Sequence, residues 1–176
     1  MRQWILAFFG LILILGCKRY TDPDPISDDR INNPYCNDPS AVNYNWGFPG
    51  KPDNSVCIYP SAVFEGNFLV YDTVWGPNQV VLQTQAFPLQ VVALDTVRMQ
   101  LLGFCDTAKH SARANRFLRF TTDTLIGLGQ SYCAGKDTLQ VIGTKTNLFD
   151  TSGFDIEYIL YTDTGMVYHK GRANKQ

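Results

Sequence analysis

From Ser61 to the C-terminus, apolar side chains recur at every second position. That spacing puts them on one face of an extended strand, whereas a helix needs a repeat near 3.6. Phe64, Phe68 and Val70 share a parity, as do Val80, Leu82, Thr84 and Ala86. Leu89, Val91, Ala93, Val97, Met99 and Leu101 form a longer run interrupted by Asp95. Phe154, Ile156, Tyr158 and Leu160 alternate with Asp155, Glu157, Ile159 and Tyr161, and Val167 and His169 alternate with Met166, Tyr168 and Lys170. The pattern predicts an all-β domain of roughly seven or eight antiparallel strands. Periodicity alone does not separate a barrel from a sandwich.

Composition supports strands joined by turns. The chain holds 14 Asp and 2 Glu, with 14 Thr, 9 Tyr and 11 Phe. Glu favours helices, Asp favours turns and caps, and Thr and the aromatics favour strands. The dipeptide Asp-Thr begins at Asp72, Asp95, Asp106, Asp123, Asp137, Asp150 and Asp163, where composition alone predicts roughly one occurrence. The last four are spaced by about one strand plus one turn, and Gly153 and Gly165 follow the last two, as in hairpin turns. Only residues 104–116, with Ala108, Ala112 and Ala114 among basic residues, break the alternation, and they are expected to form one or two helical turns.

Residues before Ser61 divide into three. An apolar run from Trp4 to Gly16 follows the single positive charge of Arg2; it is shorter than the about 20 residues that cross a bilayer and has the length of a signal-peptide core. Residues 1–16 are read as a signal peptide, and residues 17–34, rich in Asp and Pro, as a tether that cannot bury enough surface to fold alone. Residues 35–60 are read as a disulfide-closed loop and 61–176 as the β domain. Beyond Cys17 the cysteines are Cys36, Cys57, Cys105 and Cys133. Four cysteines in an exported chain allow three pairings. Cys36–Cys57 and Cys105–Cys133 are expected, because each pair brackets a loop-like stretch; no Cys-x-x-Cys spacing points to a metal.

The segment Ile14-Leu15-Gly16-Cys17 resembles the lipobox of bacterial lipoproteins. The resemblance implies cleavage before Cys17, diacylglycerol on its thiol and acylation of the new amino group. Lys18 at the next position implies the outer membrane, on its periplasmic or extracellular face. The stretch Tyr35-Cys36-Asn37-Asp38-Pro39-Ser40-Ala41-Val42-Asn43-Tyr44-Asn45, closed by Asp53-Asn54-Ser55-Val56-Cys57-Ile58-Tyr59, resembles a short module of Bacteroidota surface proteins. It departs from that module in its longer spacer and at Asn54-Ser55-Val56. Asp38, Asn43, Asn45, Asp53 and Asn54 place oxygen atoms along this loop. They either cap turns or join in holding Ca²⁺, which takes six to eight oxygens.

No catalytic constellation stands out. His110 and His169 lie in no general-base motif and are read as surface residues, His110 in a loop and His169 in the last strand. Gly127-Leu128-Gly129 lacks the following helix and Lys of a phosphate loop, and the only glutamates, Glu65 and Glu157, are read at strand positions. A formal net charge of −1 argues against nucleic-acid binding. The basic cluster of Lys109, Arg113, Arg116 and Arg119, with His110, is a solvated loop or a site for an acidic partner. The opening strand Phe64-Glu65-Gly66-Asn67-Phe68-Leu69-Val70-Tyr71-Asp72 and the closing hairpin Phe154–Lys170 resemble small lipocalin-like domains of Bacteroidota lipoproteins. That resemblance implies an antiparallel barrel or strongly curved sandwich with an apolar cavity, and the first reading is a non-catalytic, lipid-anchored binding or accessory protein with a small apolar ligand and no resident cofactor beyond the Ca²⁺ weighed above. A structural or interaction subunit of an outer-membrane complex is the alternative, and a hydrolase ranks last.

Overall fold

The structure is a computed structural model that describes residues 28–105, 108–124, 129–133 and 135–176. Cys17 and the signal peptide lie outside the described residues, as does most of the tether. A 3-10 turn, Asp29–Asn32, leads into a short parallel pair, β1 (Pro34–Tyr35) and β2 (Lys51–Pro52), and then a second 3-10 turn, Asn54–Val56. Helix α1 (Pro60–Phe64) follows. The barrel strands are β3 (Gly66–Trp75), β4 (Val81–Ala93), β5 (Arg98–Leu102), β6 (Lys109–Asn115) and β7 (Arg119–Thr122). A short β8 (Gln130–Ser131) precedes β9 (Thr138–Thr144), β10 (Gly153–Thr162) and β11 (Gly165–Lys175).

Each barrel strand pairs antiparallel with the next, β7 pairs with β9, and β11 returns to pair with β3. Eight strands thereby close an up-and-down barrel, which settles barrel against sandwich; β8 pairs with Thr138 and Leu139 on the edge of β9 that β7 takes further along, so it extends the place of β7 in the ring. Residues 109–115 are strand rather than helical turns. The basic residues face out while His110, Ala112 and Ala114 face in, so the small Ala side chains mark a crowded interior row, not a helix. Glu65 caps α1 instead of lying in a strand.

Most strand phases expected from parity converge on one core, but the row Val80, Leu82, Thr84 and Ala86 lies on the outer face, because the inward row of β4 is the one that carries Leu89 and Val91. Phe68 and Val70 of β3, Leu89 and Val91 of β4, and Met99 and Leu101 of β5 are buried with Phe120, Leu139, Val141, Phe154 and Ile156. Helix α1 seals one end. Pro60 starts it, Ser61 donates its N–H to the Thr96 carbonyl (3.2 Å) and its hydroxyl to the Asp95 carbonyl, and Phe64 enters the barrel. There Phe64 meets Phe120 and Phe154 edge-on at 5.0 and 5.5 Å, and Phe68 meets Phe154 at 4.9 Å. Gly143 has no side chain because the Phe120 ring lies over it.

Of the described Asp-Thr pairs, those at Asp95, Asp123, Asp137, Asp150 and Asp163 fall in turns or at strand ends. Asp95 accepts the N–H groups of Val97 and Arg98, and Asp150 accepts the N–H and hydroxyl of Ser152; these bonds hold each carboxyl down to about 2. Asp72 alone sits in mid-strand.

Candidate functional site

Asp72 shares its parity with Phe68, Val70 and Val74, so β3 turns its carboxylate inward, where it is buried. The register sets Gln85 of β4 opposite Asp72, and Tyr158 of β10 opposite His169 of β11. All three side chains converge on one oxygen. Asp72 Oδ2 accepts the Tyr158 hydroxyl at 2.7 Å, His169 Nδ1 at 2.8 Å and Gln85 Nε2 at 2.9 Å. Oδ1 is buried with no hydrogen-bond partner. Burial raises the Asp72 carboxyl, but the bonds from His169, Tyr158 and Gln85 outweigh it and leave the group below the usual carboxylate range. Burial, then Asp72 itself, pushes the Tyr158 phenol well up. An ionised carboxylate only accepts, so Tyr158 donates its hydroxyl and His169 carries its hydrogen on Nδ1. The two rings stack at 4.1 Å with 13° between their planes. Among the described residues nothing bonds His169 Nε2, which is an acceptor while the ring is neutral.

A cavity of about 200 Å³ lies over this cluster at the end of the barrel opposite α1. Phe87, Phe104, Tyr132 and Leu160 wall it, and Gln85, Tyr158 and His169 form its polar side. The bridge Cys105–Cys133, with Cα atoms 5.4 Å apart, ties the loop after β5 to the loop between β8 and β9 beside it. Among the described residues, Phe64, Phe68, Phe120, Leu139, Phe154 and Ile156 pack the interior on the α1 side of this mouth. A larger groove of about 660 Å³ lies on the outside of β9, β10, β11 and β3, between Trp75, Ile142, Ile159 and Tyr168. It adjoins no buried titratable group other than the His169 and Tyr158 strand positions, and the mouth carries the chemistry.

Both histidines depart from the surface reading. His169 turns into the barrel with 9% of its side chain exposed. His110 is buried in β6, edge-on to Phe104 at 5.8 Å, because inward parity places it beside Leu101. Neither ring nitrogen of His110 has a well-formed hydrogen bond; burial lowers its pKa and outweighs the opposite pull of the nearby Ser131 backbone. The signal that could have found them is parity, since Asp72 falls in the row of Phe68 and Val70 and His169 in the row of Val167, but parity could not say that the rows meet.

The loop residues read as calcium or capping groups are spread around the Cys36–Cys57 bridge, whose Cα atoms are 4.9 Å apart. Asp38 accepts the Ser40 N–H and hydroxyl and the Tyr59 hydroxyl, and Asp53 accepts the Ser55 N–H. Asn43 spans the loop, donating to the Val56 carbonyl and accepting the Ile58 N–H, both at 2.8 Å. Asn54 accepts the Asn37 N–H, and Asn45 takes a positive φ of 58° in a turn. Among the described residues no three His, Cys, Asp or Glu side chains gather as a metal site. The basic residues form a stripe along the outer face: Lys109 and Arg119 are exposed, Arg113 pairs with Asp123 at 3.0 Å, and Arg116 lies over the Phe117 ring at 5.1 Å.

No family model matches the chain, and no curated protein matches it. A similar solved structure is the solution NMR structure of lipocalin 12 from rat epididymis, 12% identical, with a TM-score of 0.43 over 67% of this chain and 69% of that one. The barrel assignment rests on the strand pairing itself.

Proposed function

We propose that this chain is a lipid-anchored, non-catalytic envelope protein that holds a small amphipathic molecule at the open end of its barrel. The observation that carries this reading is the mouth cavity, in which aromatic walls face a hydrogen-bonding side built on a buried carboxylate. Sites of this kind bind an apolar body and orient it through a few fixed polar groups. The volume suits a small molecule, and His169 Nε2 suits a ligand that donates a hydrogen bond. Asp72 spends its charge on Tyr158 and His169, so Tyr158 is held as a donor and is not activated as a nucleophile. Extraction of the purified lipidated protein followed by mass spectrometry tests the reading. A small molecule present in stoichiometric amount in the wild type and lost in Phe104→Ala and His169→Ala supports it. Equal extracts from wild type and both variants would sink it.

A second reading, an interaction subunit of an outer-membrane assembly, is favoured by β4. Its first half pairs with β3 but with no described strand on the other side, since β5 meets only Gln90 to Ala93. Val80, Val81 and Leu82 are exposed there, and no charged residue occurs from Thr73 to Leu94. Monomeric proteins usually guard such an edge with charge. Native pull-down of wild type and Leu82→Lys separates the readings: a partner lost only in the variant favours the subunit, and no partner in either favours the ligand binder.

A further inference from the structure

The α1 end of the barrel carries a set of exposed aromatic side chains that the core does not use. Trp46 is 49% exposed, Phe48 63%, Phe117 74% and Phe149 73%. They come from separate elements brought to one end. Phe149 touches Trp46 at 6.1 Å between ring centres. The Lys145 N–H bonds the Leu118 carbonyl at 2.8 Å, which sets the loop bearing Phe149 beside the turn bearing Phe117. Arg116, in that turn, reaches the Pro39 carbonyl of the disulfide loop at 3.4 Å, and Arg119 is exposed just beyond. Trp and Phe interleaved with Arg is the composition that settles at the boundary between headgroups and acyl chains.

The direction of the chain selects the occupant. Residue 28, where the described chain begins, leads through β1 directly into the disulfide loop at this same end. The stretch from Cys17 to Asp28 spans at most about 40 Å when fully extended. A lipid on Cys17 therefore keeps this end within reach of the bilayer, and the aromatic surface rather than the tether length selects it over the mouth. We infer that the surface of Trp46, Phe48, Phe117 and Phe149, with Arg116 and Arg119, seats on the phospholipid surface, aromatic rings in the interfacial layer and guanidinium groups on phosphates. The barrel then stands with its mouth facing away from the membrane. This inference rests on the lipid-anchor reading of Cys17.

The mature chain carries its own ruler. Cleavage before Cys17 removes Trp4 and leaves Trp46 at the seated end and Trp75 at the far end of β3, near the exposed hairpin tips of the mouth. The lipidated protein is reconstituted into vesicles of phosphatidylethanolamine with a minority of phosphatidylglycerol, with and without phospholipid brominated near the glycerol end of its acyl chains. In Trp75→Phe the remaining Trp46 emission should shift to the blue and lose most of its intensity with brominated lipid; in Trp46→Phe the Trp75 emission should do neither. Adding Phe48→Asp and Phe117→Asp to Trp75→Phe should return Trp46 to a water-exposed spectrum while the protein stays vesicle-bound. Quenching of Trp75 instead of Trp46 would overturn the orientation, and vesicle-bound protein with an unquenched Trp46 would overturn the seating while leaving the anchor intact. Failure to partition with vesicles at all would remove the anchor, and the seating with it.

Discussion

The two ends of the barrel solve opposite problems with the same strands. At the α1 end, Phe64, Phe68, Phe120 and Phe154 interlock edge to face and leave no polar atom among them. At the mouth, three donors crowd one oxygen of Asp72, its other oxygen is bare, and His110 nearby has no well-made bond. Burying apolar area is what stabilises a fold, while a buried polar group costs stability unless it is paired. The plug therefore supplies the stability that lets the mouth keep an under-satisfied site, and unsatisfied buried polar atoms are where a binding role is expected.

The sharpest way to break this contrast is to empty the plug. Phe64→Ala removes a fully buried ring at the meeting point of two others and should cost about 3–5 kcal/mol, read as a lowered denaturant midpoint. A loss below about 1 kcal/mol would mean that the α1 end does not carry the fold.

The bridges come next. Cys105→Ala with Cys133→Ala opens a loop closed over a separation of 28 residues and should cost roughly 3 kcal/mol through the unfolded state. Because this bridge frames the mouth, ligand retention should fall as well. Opening Cys36–Cys57, with a separation of 21, should cost a similar amount but leave retention unchanged, and equal loss of retention in both variants would dissolve the distinction between the ends.

Acid should then unmask the mouth in two steps. His110 is held below its ordinary pKa, so the unfolded state takes up its proton first, and stability falls as pH drops below about 6.5. Asp72 is also held low, so its contribution is whole above about pH 4 and is lost as pH falls through the lower folded value. Stability measured by urea unfolding across this range should show both slopes. His110→Leu should erase the upper one at a change of no more than about 1 kcal/mol at neutral pH. Asp72→Asn should flatten the lower one, to which Asp95 and Asp150 also contribute, and cost about 2 kcal/mol. A wild-type curve flat from pH 7 to pH 4 would place His110 in contact with water.

The smallest effect is expected at the disulfide loop. Asp38 and Asp53 are already occupied by Ser40, Tyr59 and Ser55. Millimolar Ca²⁺ against chelator should leave the melting temperature unchanged; a rise that Asp38→Asn abolishes would restore the loop as a cation site.

Much of the architecture follows from local rules that the chain obeys residue by residue. Alternation sets which side chains face the core, and Asp-Thr marks turns because an Asp carboxylate bonds the backbone N–H groups just after it. Those rules are short-ranged, so they hold for Asp95 and Asp150 and mislead at Asp72, where flanking strand formers carry the same dipeptide straight through a sheet. They also mislead at residues 104–116, where small Ala side chains fit a crowded interior row and imitate a helix. The choice of barrel over sandwich, and the meeting of Asp72, Gln85, Tyr158 and His169, depend on the pairing of β11 with β3, which brings together Asp72 and His169 from a sequence separation of 97. No local preference encodes that pairing; it follows from closing the sheet so that its first and last strands meet and most inward rows are sealed from water.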